Sequence, residues 1–324
     1  MWRPVPLSAT IDVARVAEEF DRGATIVLQA LHLHHAPVAA FARELEQELD
    51  QGVQVNAYYT PRSAQGLAVH HDTHDVLCLQ VAGTKRWLVY EPVLALPLKD
   101  QRYRRELGEP DEPVLDVTLA PGDTLYLPRG WLHEALTSDS DSLHLTVGLT
   151  AYTWLDAFRD ALGACRDELA FRRSVPDEAE APDALLTLLE ERLRPEDVER
   201  RRRERFVGTR RPVLDDQLAQ IRELDRLTLE TTVERRPTVI ADLHDGDGLT
   251  LSFEGKQIVF PEQVRAELEH MFAASEPVVP RELPGTLDDE GRLVLVRRLV
   301  REGFLRLADA RPRGAGAPRD DGGA

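Results

Sequence analysis

Two histidines and one aspartate in this sequence have the types and the spacing of a metal site. His70 and Asp72 form an H-x-D triplet, and His133 follows about sixty residues later. Side chains at positions i and i+2 of a strand point to the same side, so His70 and Asp72 can converge on one ion. Two imidazoles and one carboxylate can bind one face of an iron(II) ion and leave the other face for substrate and oxygen. The pattern therefore indicates oxygenase chemistry rather than a structural metal.

Neighbouring histidines leave alternative ligand sets open. His71 lies inside the triplet, and on a strand its side chain points to the opposite face. His74 forms a D-x-H arrangement with Asp72, which is a second ligand set. An H-x-D triplet alone is a weak signal in a chain with ten histidines. Glu134 follows His133 directly, points away from it on a regular strand, and is interpreted as structural.

Short β-rich runs must position these side chains. The predicted strands are Val53–Tyr59, Asp75–Val81, Arg86–Tyr90, Val114–Leu119, Asp123–Leu127 and Ser142–Leu149. Turn residues separate them, and several short strands with few helices predict a sandwich or a small barrel. His133 ends the segment PGDTLYLPRGWLH, in which a Pro-Arg-Gly turn after a strand would place the imidazole at a barrel mouth.

Mainly helical patterns flank the β-rich region. A helix is expected after Asp12, a β-like run at residues 25–31 and an amphipathic helix over Pro37–Leu49. After residue 150, apolar spacing predicts helices over Trp154–Phe171 and Ala181–Val207. Strands at Thr238–Ala241, Leu249–Phe253 and Gln257–Phe260 precede a last helix, Asp288–Gly303, and together they are compatible with a winged-helix module. The predicted division is 1–150 with the strands, 151–236 helical, 237–310 winged-helix-like, and a disordered tail at 311–324.

Charge and composition narrow the function classes. The chain has 324 residues, of which 42% are apolar and 30% charged, as in a globular protein with room for a core. Its formal net charge of −17 disfavours nucleic acid and is compatible with a basic protein partner. Residues 237–310 hold eight basic and fourteen acidic residues, which argues against DNA binding there. The dense basic block Arg200–Arg205 is interpreted as a solvated helix face, with a nucleic-acid or ribosome contact as the alternative.

The cysteines and the apolar pattern indicate a cytoplasmic protein. Cys78 and Cys165 are the only two cysteines, and neither belongs to a C-x-x-C pair, which excludes a zinc ribbon or a redox motif. No run of eighteen apolar residues occurs, so we expect no membrane span. The first twenty residues lack the basic and apolar regions of a secretory signal.

Three motifs in order carry a resemblance to a known family. The segment GLAVHHDTHDVLCLQVAGTKRW, followed by PGDTLYLPRGWLHEA, resembles the JmjC-type cupin of the ribosomal oxygenases, the bacterial "cupin 4" proteins. The combination of three motifs in this order is specific for the family: the ligand triplet, then Q-x-x-G-x-K-R-W, then P-G-D-x-L-Y-x-P-x-x-x-x-H. The match is strong over residues 50–150. The remainder is similar only in layout, with LDDEGRLVLVRRLVREGFL as the best-matching stretch of a C-terminal winged-helix domain.

This resemblance implies a fold, an activity and a set of site residues. The implied fold is a double-stranded β-helix, within a mixed α and β chain, that holds Fe(II) and 2-oxoglutarate. The implied activity is hydroxylation of an arginine or histidine side chain of a ribosomal protein. His70, Asp72 and His133 match the iron ligands, and Lys85 falls where the family places its basic 2-oxoglutarate anchor. The looser cosubstrate candidates are Asn56, Tyr58, Thr60 and His144, the last of which is alternatively a satisfied core histidine.

Other functions compete with this interpretation. A non-catalytic cupin with a winged helix would serve as a regulator or scaffold, although an intact ligand triad argues against it. A 2-oxoglutarate oxygenase acting on a small molecule or a methyl-lysine has the same triad. The resemblance also implies a homodimer formed through the helical middle region.

Overall fold

Two antiparallel sheets position the predicted site residues, and His70 and Asp72 lie in the segment between strands, outside both sheets. The computed structural model describes residues 11–137, 139–175, 183–214, 216–246 and 248–308. The chain divides into two compact units, residues 1–153 and 154–324. The predicted tail at 311–324 lies outside the described residues, and the finer division into domains stays a prediction.

The first unit consists of two α-helices and eight strands among the described residues, with one helix before the first strand and one after it. The helices are α1 (Val13–Asp21) and α2 (Ala36–Leu49), and the strands are β1 (Ile26–Leu28), β2 (Gly52–Thr60), β3 (Asp75–Ala82), β4 (Lys85–Tyr90), β5 (Leu115–Leu119), β6 (Thr124–Leu127), β7 (Leu132–Leu136) and β8 (Ser142–Thr150). All six strands predicted between residues 50 and 150 are confirmed to within one residue at each end. Asp12 caps α1, because its side chain accepts hydrogen bonds from the first helical N–H groups.

Pairing of these strands produces a larger and a smaller sheet. The larger has the order β1-β2-β8-β3-β6, and the smaller has the order β5-β4-β7. All the pairs are antiparallel, and the long β2–β8 ladder sets Tyr58 opposite His144. Apolar side chains of β3 and β6 pack against those of β4 and β5 to form a core between the sheets, with Val76, Trp87 and Leu119 buried there.

The larger sheet has an outer face that packs on α2. The buried residues of this contact are Ala42, Val53, Val55 and Val147, and further leucines of β3 and β8 surround them. Since side chains alternate along a strand, Ser142, His144 and Thr146 of β8 lie on the other face. We call this side, which turns to the smaller sheet, the inner face.

The second unit combines helices with two small sheets. The helices are α3 (Trp154–Ala164), α4 (Asp183–Arg192), α5 (Pro195–Gly208), α6 (Gln217–Glu223), α7 (Arg265–Ala273) and α8 (Asp289–Glu302), and the strands are β9 (Val233–Arg235), β10 (Ala241–Asp245), β11 (Leu249–Phe253), β12 (Lys256–Phe260) and β13 (Leu305–Leu307). Strands β10, β11 and β12 form one sheet, and β13 pairs with β9. Their apolar side chains join those of α7 and α8 in a single core. Whether this is a winged helix stays a prediction.

Three predicted elements of this unit differ from the structure. The helix that begins at Trp154 ends at Ala164, and a separate turn follows at Leu169–Arg172. The helix expected over Ala181–Val207 is interrupted because Pro195 begins a new helix, α5. The predicted strand Thr238–Ala241 is wrong.

The error has a physical cause. The apolar residues Val239 and Ile240, which suggested a strand, are buried in a turn instead. The Val239 N–H donates to the Arg236 carbonyl and closes this turn. The strand therefore begins only at Ala241. The last helix is confirmed, with Asp288 as its N-cap and Gly303 at its C-terminus in a left-handed conformation.

The basic block on α5 is paired within its own unit. The ion pairs join Arg200 to Asp197 and Glu204, Arg202 to Glu199, and Arg205 to Asp156 and Asp160. These contacts favour the interpretation as a helix face with neutralised charges. Separately, none of the described helices combines the length and apolar character needed to cross a bilayer.

Candidate metal centre

A short antiparallel bridge sets the spacing of the candidate ligands. The His70 N–H donates to the His133 carbonyl at 3.1 Å, and the His133 N–H donates back to the His70 carbonyl at 2.8 Å. Two residues after His70, the Asp72 carbonyl accepts a hydrogen bond from the Gly130 N–H at 3.0 Å. The segment with the triplet is therefore pinned to the turn and strand that carry His133.

Gly130 is required at this turn for two reasons. Its φ of +92° is in the region that favours glycine, and a Cβ there would lie 2.5 Å from the Leu94 carbonyl oxygen. The Pro-Arg-Gly sequence before β7 thus gives the Asp72 backbone its hydrogen bond and brings the loop around Leu94 against the site.

The three candidate ligands meet at one point. One side-chain donor atom from each of His70, Asp72 and His133 lies within 4.8 Å of the other two. His133 Nε2 and Asp72 Oδ2 are 3.8 Å apart, and the two imidazole centroids are 4.5 Å apart. In the described part of the chain this is the one such group of histidine, cysteine or carboxylate side chains.

Backbone carbonyls determine the tautomer of both imidazoles. Nδ1 of His70 lies 2.8 Å from the Ala68 carbonyl oxygen, and Nδ1 of His133 lies 3.0 Å from the Trp131 carbonyl oxygen. A carbonyl only accepts, so each Nδ1 carries the proton and each neutral ring keeps a lone pair on Nε2. Both rings are therefore prepared to bind a metal through Nε2.

Burial keeps His133 neutral. Its side chain is 5% exposed, and loss of solvation, aided by the nearby His70, lowers the pKa of His133 well below its usual range. A neutral imidazole is the form that binds a metal, so no proton has to leave this ring near neutral pH.

These ligands line a pocket on the inner face of the larger sheet. Its empty space, which includes open solvent at the mouth, measures about 510 Å³. Besides the ligands, its lining includes Thr25, Tyr58, Lys85, Trp87, His144 and Thr146. We call this space the inner pocket.

A buried amine provides positive charge in the inner pocket. Lys85 is 4% exposed, and its Nζ donates to Thr60 Oγ1 at 2.9 Å. Within the described residues, no carboxylate forms an ion pair with it. Burial lowers the pKa of Lys85 to about 8, so most of the amine is still charged near neutral pH. A buried charge without a counter-ion fits an anionic ligand.

An aromatic wall stands beside this amine. The rings of Tyr58 and His144 stack with centroids 5.0 Å apart, and Trp87 meets His144 edge-on at 5.4 Å. Burial, with a smaller contribution from Lys85, lowers the pKa of His144 to about 3. His144 Nδ1 and Trp87 Nε1 are buried without a hydrogen-bond partner. Such orphaned polar atoms fit a pocket that receives a polar molecule.

Two of the loosely assigned residues lie behind the pocket wall. Asn56 Oδ1 accepts from the Ala30 N–H at 2.8 Å, so this side chain holds the segment after β1. Thr60 is fully buried and contacts Lys85. Neither is among the lining residues of the inner pocket, whereas Tyr58 and His144 are. Their roles toward a cosubstrate stay predictions.

The neighbouring histidines lie away from the ligand cluster. His71 Nε2 lies 3.0 Å from the Gln101 carbonyl oxygen, and His71 is not among the lining residues of the inner pocket. The His74 ring packs against Gly148, where an added Cβ would approach it to 2.5 Å. Glu134 accepts hydrogen bonds from the Tyr90 hydroxyl and the Gln65 amide, but it also lines the inner pocket, so its structural role stays a prediction.

Sequence reasoning missed Thr25, Trp87 and Thr146 as lining residues. Trp87 is the last residue of the motif Q-x-x-G-x-K-R-W, so the motif itself pointed to this residue. Thr25 begins a short β-like run, and only the pairing of that run with β2 brings it to the pocket. Thr146 follows from alternation along β8, two residues after His144.

The donor set fits an iron(II) ion and a 2-oxoacid. Two Nε2 lone pairs and one carboxylate on one side of a pocket correspond to a facial triad, which leaves other positions open. Lys85, without an ion-pair partner in the described chain, fits the second carboxylate of a dicarboxylic acid.

Comparisons with known proteins agree with this geometry. Residues 31–157 match the family model of the JmjC domain. The bifunctional lysine-specific demethylase and histidyl-hydroxylase NO66 of Drosophila persimilis is 47% identical over 103 residues, which cover 31% of this chain and 14% of the relative. Ribosomal oxygenase 1 of Homo sapiens is 34% identical over 171 residues, which cover 48% of this chain and 26% of the relative. The chain thus spans about a quarter or less of these two relatives.

A solved structure extends the likeness beyond this domain. The ribosomal oxygenase YcfD of Escherichia coli, in complex with cobalt and 2-oxoglutarate, has a TM-score of 0.55 and 21% identity, and the match covers 88% of this chain and 78% of that chain. At this identity the likeness shows the fold, and it confirms the predicted cupin core in a mixed α and β chain. The candidate metal centre thus lies in the part of the chain, residues 31–157, that matches the JmjC domain.

Proposed function

We propose that this chain is an Fe(II)- and 2-oxoglutarate-dependent oxygenase that hydroxylates an arginine or histidine side chain of a ribosomal protein. The observation that carries the proposal is the ligand cluster. His70 and His133 present Nε2 lone pairs fixed by backbone carbonyls, and Asp72 adds a carboxylate within 4.8 Å. His70, Asp72 and His133 would hold the iron.

The bound metal and 2-oxoacid would together supply oxidation of a C–H bond by O₂, coupled to decarboxylation of the 2-oxoacid to succinate. The chain contributes binding, orientation and exclusion of water. Lys85 neutralises the distal carboxylate of the 2-oxoacid, and the Tyr58–His144 stack forms one wall of its site. His144 stays neutral beside Lys85 because its pKa is about 3, so Lys85 and not His144 provides the positive charge for the carboxylate.

A ribosomal protein is the substrate class that the relatives and the charge support. Relatives and a solved structure are named ribosomal oxygenases, and one relative is named a histidyl-hydroxylase. The net charge of −17 favours a basic partner. We place the protein in the cytoplasm, where such a substrate is synthesised.

We also propose that two copies associate through the helical middle region. Along α3, Trp154 is 73% exposed, and Phe158 and Leu162 are exposed at helical spacing with it. Apolar side chains in one stripe favour burial against another surface. For residues 237–310 we propose a winged-helix module, supported by the sheet β10-β11-β12 and the helices α7 and α8.

Mass spectrometry of ribosomal proteins tests the proposed function. Ribosomes are incubated with the protein, Fe(II) and 2-oxoglutarate, and peptides are searched for a gain of one oxygen on arginine or histidine. We expect one modified site, with succinate formed in proportion. The matched control is Asp72→Ala, which should give neither product.

Other results would point to the competing functions. Loss of a methyl group from lysine would indicate a demethylase. Succinate formed without any change of a ribosomal protein would indicate another substrate. Absence of both modification and succinate would contradict the oxygenase proposal and favour a non-catalytic scaffold.

A further inference from the structure

A chain of hydroxyl groups connects Lys85 to the N-terminal part of the first unit. Lys85 Nζ donates to Thr60 Oγ1 at 2.9 Å, and Thr60 Oγ1 lies 3.0 Å from Thr25 Oγ1. Thr60 is fully buried behind the amine, whereas Thr25 is partly exposed and lines the inner pocket. The series therefore runs from the amine through a buried hydroxyl and back to the pocket surface.

Strand pairing determines the position of Thr25. Strand β1 pairs with β2 so that Ile26 is opposite Tyr59, which places Thr25 level with Thr60. On the preceding helix, Phe20 stacks on Tyr59 with ring centroids 4.8 Å apart. The ladder thus fixes Thr25 beside Thr60, and the ring contact fixes the preceding helix against β2.

The hydrogen bonds of Lys85, Thr60 and Thr25 leave one hydroxyl proton available to a ligand. Thr60 Oγ1 already accepts from Lys85, and the one acceptor recorded for its own proton in the described chain is Thr25 Oγ1. Because Thr60 is fully buried, its proton has to be used there. Thr60 therefore donates to Thr25, and the Thr25 proton is left for a ligand in the pocket.

Gly66 lies close over the hydroxyl groups of Thr25 and Thr60. A Cβ on Gly66 would lie 2.5 Å from Thr25 Oγ1 and 3.4 Å from Thr60 Oγ1. The segment after β2 thus comes close over this pair, and Gly66 itself lines the inner pocket. The Thr25 hydroxyl is part of a closely built corner of the pocket.

We propose that Thr25 belongs to the subsite for the distal carboxylate of the 2-oxoacid, where its hydroxyl donates to one carboxylate oxygen while Lys85 binds the carboxylate by charge. The inference depends on the proposed function, since it assigns a further specificity-determining residue to that cosubstrate. Lys85 provides the positive charge, and the Thr25 hydroxyl provides a directional hydrogen bond. Together they select an acid with a second carboxylate.

Calorimetric titration of the Mn(II)-loaded protein tests this role. 2-Oxoglutarate is compared with 2-oxobutyrate, which has the same chelating end and no distal carboxylate. Thr25→Val keeps the shape and removes the hydroxyl, so we expect its Kd for 2-oxoglutarate to rise at least about tenfold, as for loss of a hydrogen bond to a charged group. The Kd for 2-oxobutyrate and the affinity for Mn(II) should stay within about twofold.

Three further variants separate the role from a structural one. Thr25→Ser keeps the hydroxyl and should bind 2-oxoglutarate within about threefold of the unchanged protein. Thr118→Val makes the same chemical change at an exposed position of β5 and should change nothing. Thr25→Ala replaces the valine variant if that variant does not fold, as judged by thermal unfolding.

The outcomes distinguish this inference from the proposed function. Equal 2-oxoglutarate affinity in Thr25→Val and the unchanged protein would overturn the role of Thr25 and leave the proposed function intact. Equal loss of affinity for both acids would also overturn it, because the hydroxyl would then support pocket shape. If the unchanged protein binds neither acid, both proposals fail.

Discussion

The two faces of the sheet β1-β2-β8-β3-β6 are built from alternate residues of the same strands, yet their chemistry differs. In β8, Leu145 and Val147 pack on α2, while His144 and Thr146 face the inner pocket. The outer face is covered mainly by apolar side chains, and its buried charges, Arg43 and Glu46, are paired with each other. The inner face carries buried polar atoms without partners, such as His144 Nδ1.

This difference assigns separate tasks to neighbouring residues. Burial of aliphatic side chains stabilises the fold, whereas a buried polar atom without a partner costs stability unless a ligand binds it. Changes on the outer face should therefore lower the free energy of unfolding and leave binding intact. Changes on the inner face should alter binding and have little effect on the fold.

The largest effect is expected for Asp72→Ala on the inner side. Removal of one of three ligands should weaken Mn(II) binding by at least about a hundredfold, since even indirect partners of a ligand contribute up to that factor. The metal-free protein should unfold within about 1 kcal/mol of the unchanged one. Titration with Mn(II) and denaturant unfolding measure both quantities, with the exposed Asp116→Ala as control. Unchanged metal affinity would contradict the ligand assignment.

On the outer face, Val147→Ala should lower the free energy of unfolding by about 2 kcal/mol. Two buried carbons are removed at a fully buried position, and a small cavity is left. Denaturant unfolding measures the loss. The Kd for 2-oxoglutarate should stay within about twofold. A large loss of affinity at normal stability would show that the two faces are not separate.

The pH dependence of cosubstrate binding should follow Lys85. With its pKa at about 8, the amine is charged below that pH and becomes neutral above it. The dicarboxylate favours the charged form, so its affinity should be constant below about pH 8 and fall up to about tenfold per pH unit above it. Calorimetry of 2-oxoglutarate binding across this range measures the profile. Lys85→Met should bind weakly and show no such fall.

The smallest change in stability is expected for Thr146→Val, one residue away from Val147. Thr146 is buried on the inner face, and replacing a buried hydroxyl by a methyl group should change the free energy of unfolding by less than about 1 kcal/mol. Denaturant unfolding of this variant beside Val147→Ala compares the two faces directly. A loss as large as that of Val147→Ala would mean that the inner face also stabilises the fold.

Local patterns in the sequence predicted much of the first unit. The six strands and the H-x-D triplet were predicted because alternation and turn residues are local signals. The choice of His70 over His71 combined strand geometry with the family resemblance, and the structure brings His70 together with Asp72 and His133.

Other features depend on contacts that are distant in sequence. Strand β7 is short and contains His133 and Glu134, so its β character depends on pairing with β4. The pair β9–β13 joins residues about seventy positions apart, and neither strand has a strong pattern. Thr25 reaches the pocket only through the β1–β2 ladder. The tautomers of His70 and His133 depend on carbonyl positions, which residue types do not encode.

The central claim is that the inner pocket is a site for a metal ion and a 2-oxoacid together. Titration of 2-oxoglutarate into the protein with and without Mn(II) tests it most directly. We predict one binding site in the presence of Mn(II) and at least about tenfold weaker binding without it, because the metal would hold the 2-oxoacid end of the cosubstrate. Equal affinity in both titrations, or no binding in either, would contradict the account.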